Sequence, residues 1–591
     1  MQSKHLVDVA MGRKPADMVV LGARWVCVQS GEILNDTQIA ISGQRIAYIG
    51  EDAGQTIGDE TLIIEAEGRH AVPGLLDGHM HIESGMLTTT QFVQAVLPHG
   101  TTGMFVDPHE IANIFGLDGV RMMVEEAALQ PIHVWVQMPS CVPSAPGLET
   151  AGARIGPHEV SLALSWPGII GLGEMMNVPG VIAGDERKHA EMAETRVARR
   201  VIGGHYASFD LGNPFHAYVA GGPEDDHEGM RIEDAVARAR QGMKVMMRLG
   251  SAWHDVAEQI RAVTELGLDS RHFILVTDDS HSATLVHEGH MNRVVRHAID
   301  QGVEPLTAIQ MATLNTAEHF GVATEVGQIA PGRYADLLLV GDLAEFEVET
   351  VIAKGVVAVQ EGSILVDPPE FTYPPEVRRS VHLKRELNAE DFKLSAPSTG
   401  RVTANVIGVN DNQARTEHLQ VDLKPQNGLL EADVEADLAK VALVERHRGS
   451  GTVQLGLVQG FSLDQACAVG STVAHDSHHM LVVGTDDRDM ALAANELARV
   501  GGGQIVVRHG EVSALVELPI AGLMSDEPAE VVAGKAERLL EAFRECGCTL
   551  NNANMQLSLL ALVVIPDLRI SDLGLVDVNR FEIVPLLDEG R

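Results

Sequence analysis

The sequence predicts an α/β chain centred on a (β/α)8 TIM-type barrel, with a small β-sandwich built from segments on both sides of it and a C-terminal α+β domain. Three observations predict this. Eight buried-type strand runs alternate with amphipathic stretches between about residues 73 and 324. Two β-patterned segments flank that region, and a further set of helix and hairpin signals follows a proline-rich stretch.

Residues 1–72 carry short alternating runs, VVLGARWVCVQ, TQIAISG and RIAYIG, separated by glycine-containing turns, as antiparallel strands require. The pattern returns within residues 325–370 as ADLLLVGD, TVIAKGVVAVQ and GSILVD, so the two segments are expected to complete one small domain. Between them, 73–324 holds the barrel candidates GLLDGHMH, TTGMFVDPHE, IHVWVQMPS, GIIGLGEMM, RRVIGGHYA, HAYVAGGPEDDHE, MKVMMRLGS and HFILVTDDS. Eight is the number that closes such a barrel, and polar residues gather at the C-terminal ends of these runs, where barrel enzymes place their chemistry. Residues 371–400 contain Pro-Pro twice and no sustained period, and read as a linker or an extended crossing. Within 401–591, MALAANELARVGGG reads as a helix stopped by glycines, QIVVRHGEVSALVELP as a hairpin, and VVAGKAERLLEAFRECG as a second amphipathic helix.

Composition narrows the partners. The chain has 591 residues, 45% of them hydrophobic and 21% charged, ordinary values for a multidomain globular protein. A formal charge of -38 repels phosphate backbones and anionic lipid, so neither nucleic acid nor membrane is an expected partner. No apolar run is long enough to span a bilayer, and MQSKHLVDVAMGRKPADMVV lacks the features of a secretory signal, which suggests the cytoplasm. Five scattered cysteines argue against a disulfide framework. A homo-oligomer, dimer or tetramer, is expected on the base rate for soluble enzymes.

The strongest local signal is His79-Met80-His81 at the end of the first barrel run, because residues two apart on a strand face the same way and can share one metal. Alone, such a pair is equally two surface histidines beside a turn. Read with the other strand ends it gains weight. Run four ends at Glu174, a carboxylate set in an apolar stretch; run five ends at His205, run six at His227 and run eight at Asp278, followed by Asp279. Mixed imidazole and carboxylate donors in that number suit two divalent ions, Mn2+ or Fe2+ first and Zn2+ also, with Glu174 bridging; a mononuclear site is the competing arrangement. Asp107, His109 and Glu110 form a second polar cluster, either a solvated Asp-Pro turn or groups that move protons or bind a further metal beside the substrate. The string HDSHH poses the same choice, as a polar loop or as a source of His475, Asp476 or His478 closing over the barrel mouth. Glu83, Arg248 and Ser251 are further candidates for substrate or metal contacts.

The order HxH, Glu, His, His, Asp along eight βα units resembles the amidohydrolase superfamily. Many members carry a carboxylated lysine on strand four, where this chain has Glu174, and Lys244 lies on the wrong strand to replace it. The strings PGLLDGHMHIESGM, VDPHEIANIFG, GLGEMMN, VTDDSH, STVAHDSHHMLVVG and LPIAGLMS are similar to those of the adenine deaminase family, and they extend into the C-terminal domain. That resemblance implies purine salvage by hydrolysis of adenine to hypoxanthine and ammonia with a metal-activated hydroxide. Asp278 would accept and relay the proton, while Glu110, with His109 nearby, would protonate a ring nitrogen. Leu249 departs from the acidic residue often found after the arginine of strand seven, and the PCxxC of the other zinc nucleobase deaminases is absent. Two alternatives stay open: a different binuclear reaction such as cyclic amide hydrolysis, and a non-catalytic scaffold that kept the barrel.

Overall fold

The computed structural model describes residues 2–397 and 400–587. Near the N-terminus, strand Met18–Cys27 organises a nine-stranded sheet. On one edge it pairs antiparallel with Glu32–Ser42; on the other it runs parallel first to Leu62–Glu65 and then to His70–Pro73. The change of partner falls near Gly22, whose φ of 65° suits glycine, and the register with Glu32–Ser42 slips between Val20 and Ala23. A bulge of this kind bends a strand and lets two layers share it.

His70–Pro73 then pairs antiparallel with Leu337–Val340, so segments before and after the barrel form one sheet. Val20, Ile39, Ile41, Leu337 and Ile352 meet in its core.

The barrel strands are Leu75–His81, Thr101–Val106, His133–Met138, Ile169–Met175, Val201–Gly204, Asp225–Asp226, Lys244–Arg248 and Phe273–Val276, the last continued by Asp278–Asp279. Their ladders are parallel, as helical crossovers require. Asp278 pairs with Met80 of the first strand, and Glu224 N donates to Ile202 O at 2.9 Å, which closes the ring. At the base of the barrel Leu76, Phe105, Ile170, Val201, Met246 and Ile274 pack together, and Phe320 stacks on Phe105 with centroids 3.9 Å apart. This apolar plug leaves the C-terminal ends of the strands as the open, polar face.

The expectation for run six needs correction. HAYVAGG belongs to helix Asn213–Gly221, and the strand is only Asp225–Asp226. Pro214 sits at the helix start, and Phe215 and Tyr218, three apart, are its buried residues, so helical period prevails over a run of strand formers.

The 371–400 stretch crosses the surface in an anchored course. Tyr373 donates its hydroxyl to Glu126 Oε2 at 2.5 Å, and Phe392 is fully buried.

Beyond it, an eight-stranded and mostly antiparallel sheet has Leu438–Val444 near its centre. Helix Asp487–Val500 starts where Asp486 caps Arg488 N and Asp489 N, and ends at Gly501 with φ 90°. Strands Gly503–Arg508 and Glu511–Glu517 form the hairpin, followed by helix Ala529–Glu545. This domain is stitched to the barrel: Thr88 N donates to Ser525 O at 3.0 Å, Ser525 N to Met86 O at 2.8 Å, and Thr150 donates twice to Asp572. No described helix is long and apolar enough to cross a membrane.

Candidate metal centre

His79 and His81 project from the end of strand one, where Gly78 lets Ile274, Val276 and Thr316 pack close to the backbone. His81 is oriented by a hydrogen bond between its Nδ1 and Asp107 O at 2.8 Å; that bond makes Nδ1 the donor and turns Nε2 towards the carboxylates. Its Nε2 lies 3.3 Å from Asp278 Oδ1 and 3.8 Å from Glu174 Oε1.

Glu174 occupies the middle of the cluster. Oε1 is 3.2 Å from His109 Nδ1, whereas Oε2 is 2.5 Å from His205 Nδ1 and 3.2 Å from His227 Nε2. Burial opposes the charge of this carboxylate, but the surrounding imidazoles, His205 foremost, hold its pKa well below the usual range. Its backbone N–H donates to Asp107 Oδ2 at 2.8 Å, and a Cβ at Gly173 would meet that oxygen at 2.1 Å, so glycine is required there.

Asp278 adopts a left-handed φ of 62° where strand eight breaks, which turns its carboxylate inward. Oδ1 faces His81 and His79, the latter at 3.8 Å, and Oδ2 accepts from Arg248 Nη1 at 3.0 Å. Burial opposes ionisation here too, and His81 and Arg248 outweigh it, so Asp278 stays anionic.

These residues fit divalent metal. Carboxylate oxygens and imidazole nitrogens 3.2–3.8 Å apart are spaced as donors that share one ion at about 2.1 Å each. Among the described residues His79 Nε2 and His109 Nδ1 are buried without a hydrogen-bond partner, a costly state that an ion relieves. Groups of potential ligands recur around Glu174: His79 and His81 on one side, His205 and His227 on the other.

Along the chain the finding is broader than the barrel. An amidohydrolase family model matches residues 71–205 and 218–358, and an adenine deaminase C-terminal domain model matches 413–582. The chain is 59% identical over 578 residues to adenine deaminase 3 of Rhizobium meliloti, covering 98% of this chain and 97% of that one. It is 60% identical to an adenine deaminase of Mesorhizobium japonicum, covering 98% and 96%, and 50% identical to one of Moorella thermoacetica, covering 99% and 98%.

The chain belongs to the adenine deaminase family.

For a member of the adenine deaminase family the surroundings of the ligand cluster matter as much as the cluster. Glu83, just past His81, accepts from Ile111 N at 3.3 Å through Oε1; among the described residues its Oε2 is buried without a partner, and burial pushes its pKa up to about 7. Glu110 has the same unpartnered Oε2, with burial pushing its pKa up to about 8 and Oε1 3.7 Å from His475 Nδ1. Asp107 is pushed up to about 7 by burial and by the neighbouring Glu174 charge. His475 comes from the C-terminal domain. Burial acts against its charge, but Asp476 and Glu110 outweigh that and raise it to about 9. Asp476 in turn accepts from Ser144 and lies 3.8 Å from His109 Nε2. The HDSHH loop therefore reaches the barrel mouth, and Glu83, Glu110 and His475 border one small cavity.

Not every sequence candidate faces this space. Ser251 donates to Thr284 Oγ1 and accepts from His281 N, both at 2.8 Å, so its hydroxyl braces the strand-seven loop. His478 accepts from Ala474 N through Nδ1, and Arg446 Nε donates to its carbonyl at 2.5 Å, which places it in the loop's framework. Asp279 accepts from Ser84 and stands with His81 and Asp278 among the potential ligands. Arg248 is committed to three carboxylates, Asp278, Glu228 and Asp255, and so braces a ligand neighbour instead of presenting itself to a ring nitrogen. Glu228 and Asp255 escaped sequence reasoning as site residues; the acidic string EDDHE was a signal for Glu228 only. Lys244 donates to Arg271 O at the opposite end of strand seven, far from the ligand face.

Proposed function

We infer that this chain catalyses the hydrolytic deamination of adenine to hypoxanthine and ammonia. The single observation that carries the reading is likeness to adenine deaminases over the whole length, together with a C-terminal loop that delivers His475 to the barrel carboxyls. A cyclic amide hydrolase would have no evident use for that second domain over the site, and a silent scaffold would not keep a complete, buried donor set.

Two ions are the arrangement that the donors favour. His79, His81 and Asp278 would hold one, His205 and His227 the other, with Glu174 offering one oxygen to each side. Imidazole with carboxylate suits Mn2+, Fe2+ or Zn2+, and availability in the cell decides among them. When bound, such ions supply Lewis acidity and water activation at neutral pH.

The protein's own groups manage the protons. Asp278, anchored by Arg248 through Oδ2, turns Oδ1 to the ligand face beside His79 and His81, where its remaining lone pair can accept a proton from the attacking water and return it to the departing amine. A neutral carboxyl must protonate ring N1 so that negative charge does not build on the purine, and it regains a proton as the C6 carbonyl forms. Glu110 and Glu83 both meet this need, each with one unpaired oxygen and a pKa raised to neutrality or above. His475 and Asp476 exclude water from above. All five cysteines are buried and unpaired, which favours a reducing cytoplasm.

The test is turnover of adenine, followed by absorbance, with protein purified in the presence of Mn2+, beside adenosine and a panel of cyclic amides. Adenine turnover lost in His79→Ala and Glu174→Ala supports the reading. Fully loaded protein that ignores adenine but opens a cyclic amide overturns it.

A further inference from the structure

The cavity has a wall that the chemistry above does not use. Gln504 is the second residue of the hairpin strand Gly503–Arg508, opposite Ser471 in the sheet, and borders the same space as Glu83 and Glu110. Only 4% of it is exposed, and its Oε1 is buried without a hydrogen-bond partner among the described residues. An unpaired buried amide oxygen is costly, and one that borders this cavity is placed to be paired by whatever enters it. Around it the cavity is lined by Met86, Val473 and Met555, which suit the faces of a flat ring.

We propose that Gln504 selects the free purine base by pairing with its N3/N9–H edge, Oε1 accepting from N9–H and Nε2 donating to N3. This rests on the adenine reading. A carboxamide presents an acceptor and a donor side by side in one plane, and that ring edge presents their complements at matching spacing. The two domains then address different edges of one substrate. The barrel supplies the carboxyls that act at N1 and C6, and the C-terminal domain supplies the group that reads N3 and N9. A nucleoside carries ribose at N9, removes the proton that Oε1 needs, and leaves the amide oxygen buried and unpaired. A site built around a hydrogen bond rejects the analogue that lacks it by as much as about 10⁴-fold.

The experiment compares kcat/KM for adenine, 3-deazaadenine and 9-methyladenine in the metal-loaded full chain, as wild type, Gln504→Leu and Gln504→Glu. Wild type is expected to favour adenine over 9-methyladenine by at least about 10³-fold and over 3-deazaadenine by about 10-fold or more. Gln504→Leu should lower kcat/KM for adenine by about 10–100-fold, mainly through KM, and erase most of the discrimination against 3-deazaadenine. Gln504→Glu, which accepts but does not donate, should keep the preference for N9–H and lose that for N3. Unchanged discrimination in an active Gln504→Leu enzyme overturns the proposal alone. Equal wild-type rates for adenine and 3-deazaadenine overturn it without any variant, so a misfolded substitution does not protect it. Loaded wild type inert towards adenine overturns the function on which it rests.

Discussion

Arg248 Nη1 lies 3.0 Å from Asp278 Oδ2 and thereby fixes which oxygen of that carboxylate faces His79 and His81. Arg248 is 2% exposed and holds Glu228 and Asp255 as well, so two buried carboxylates and the partly buried Glu228 depend on one guanidinium.

The Arg248→Lys substitution keeps a charge but loses the fork that spans the three acids. The expected result is a folded, metal-containing enzyme with kcat lowered about 10²-fold and KM little changed, since the damage falls on proton transfer. Metal content by mass spectrometry beside steady-state kinetics measures both. An Arg248→Lys enzyme that retains wild-type kcat removes the bracing role.

Glu174 is the residue on which both ligand groups converge. Glu174→Ala should retain less than about half of the bound metal and lose turnover by more than about 10³-fold. Chelation of the wild type should lower its melting temperature, because ligand binding to the folded state adds stability that vanishes with the ion. Calorimetry before and after dialysis against a chelator, followed by Mn2+ add-back, reads this directly.

Glu83 and Glu110 are separable by substitution. Glutamine at either position preserves shape but holds no exchangeable carboxyl proton. The residue that protonates the ring should lose about 10²–10⁴-fold in kcat when replaced, and the other should lose about 10-fold or less. Metal occupancy in both variants should stay at the wild-type level. If both variants turn over adenine at full rate, neither carboxyl moves the proton.

Glu149 offers a stability test away from the ligands. It accepts from Ala145 N at 2.8 Å through one oxygen, the other is buried and unpaired, and burial pushes its pKa up to about 8. The folded state thus holds a proton that the unfolded state releases at about pH 4.3. The stability tied to this proton is complete below about pH 4.3 and declines as pH rises to about 8. Glu149→Gln should raise the melting temperature by several degrees at about pH 8 and leave it nearly unchanged at about pH 5. A variant whose melting curve shifts equally at both values disproves the assignment.

How much of this is legible in the sequence differs by element. The ligand candidates stand out because each is a polar residue at the end of an apolar run, and strand ends in a barrel converge whatever the details of its helices. The short sixth strand is misplaced by sequence because Tyr218 and Val219 favour strands in isolation, while the packing of Phe215 and Tyr218 on one helical face decides the outcome. Arg248 is visible as a charge but its partners are not, since Asp255 and Asp278 reach it only after the chain has closed on itself. Gln504 leaves no trace at all. A single polar residue in a hairpin strand becomes informative only when its missing hydrogen bond can be seen.

The pairing of His70–Pro73 with Leu337–Val340 sets a schedule for synthesis. A ribosome adding about 5–20 residues per second makes the first partner roughly 13–50 seconds before the second, and the whole barrel emerges in between. Until then the early strands end in an open edge with unpaired amides, the kind of surface that invites pairing between nascent chains. The late-arriving strand is therefore what ends that exposure, and slow translation ahead of Leu337 should raise the burden on chaperones more than the same pause anywhere in the C-terminal domain.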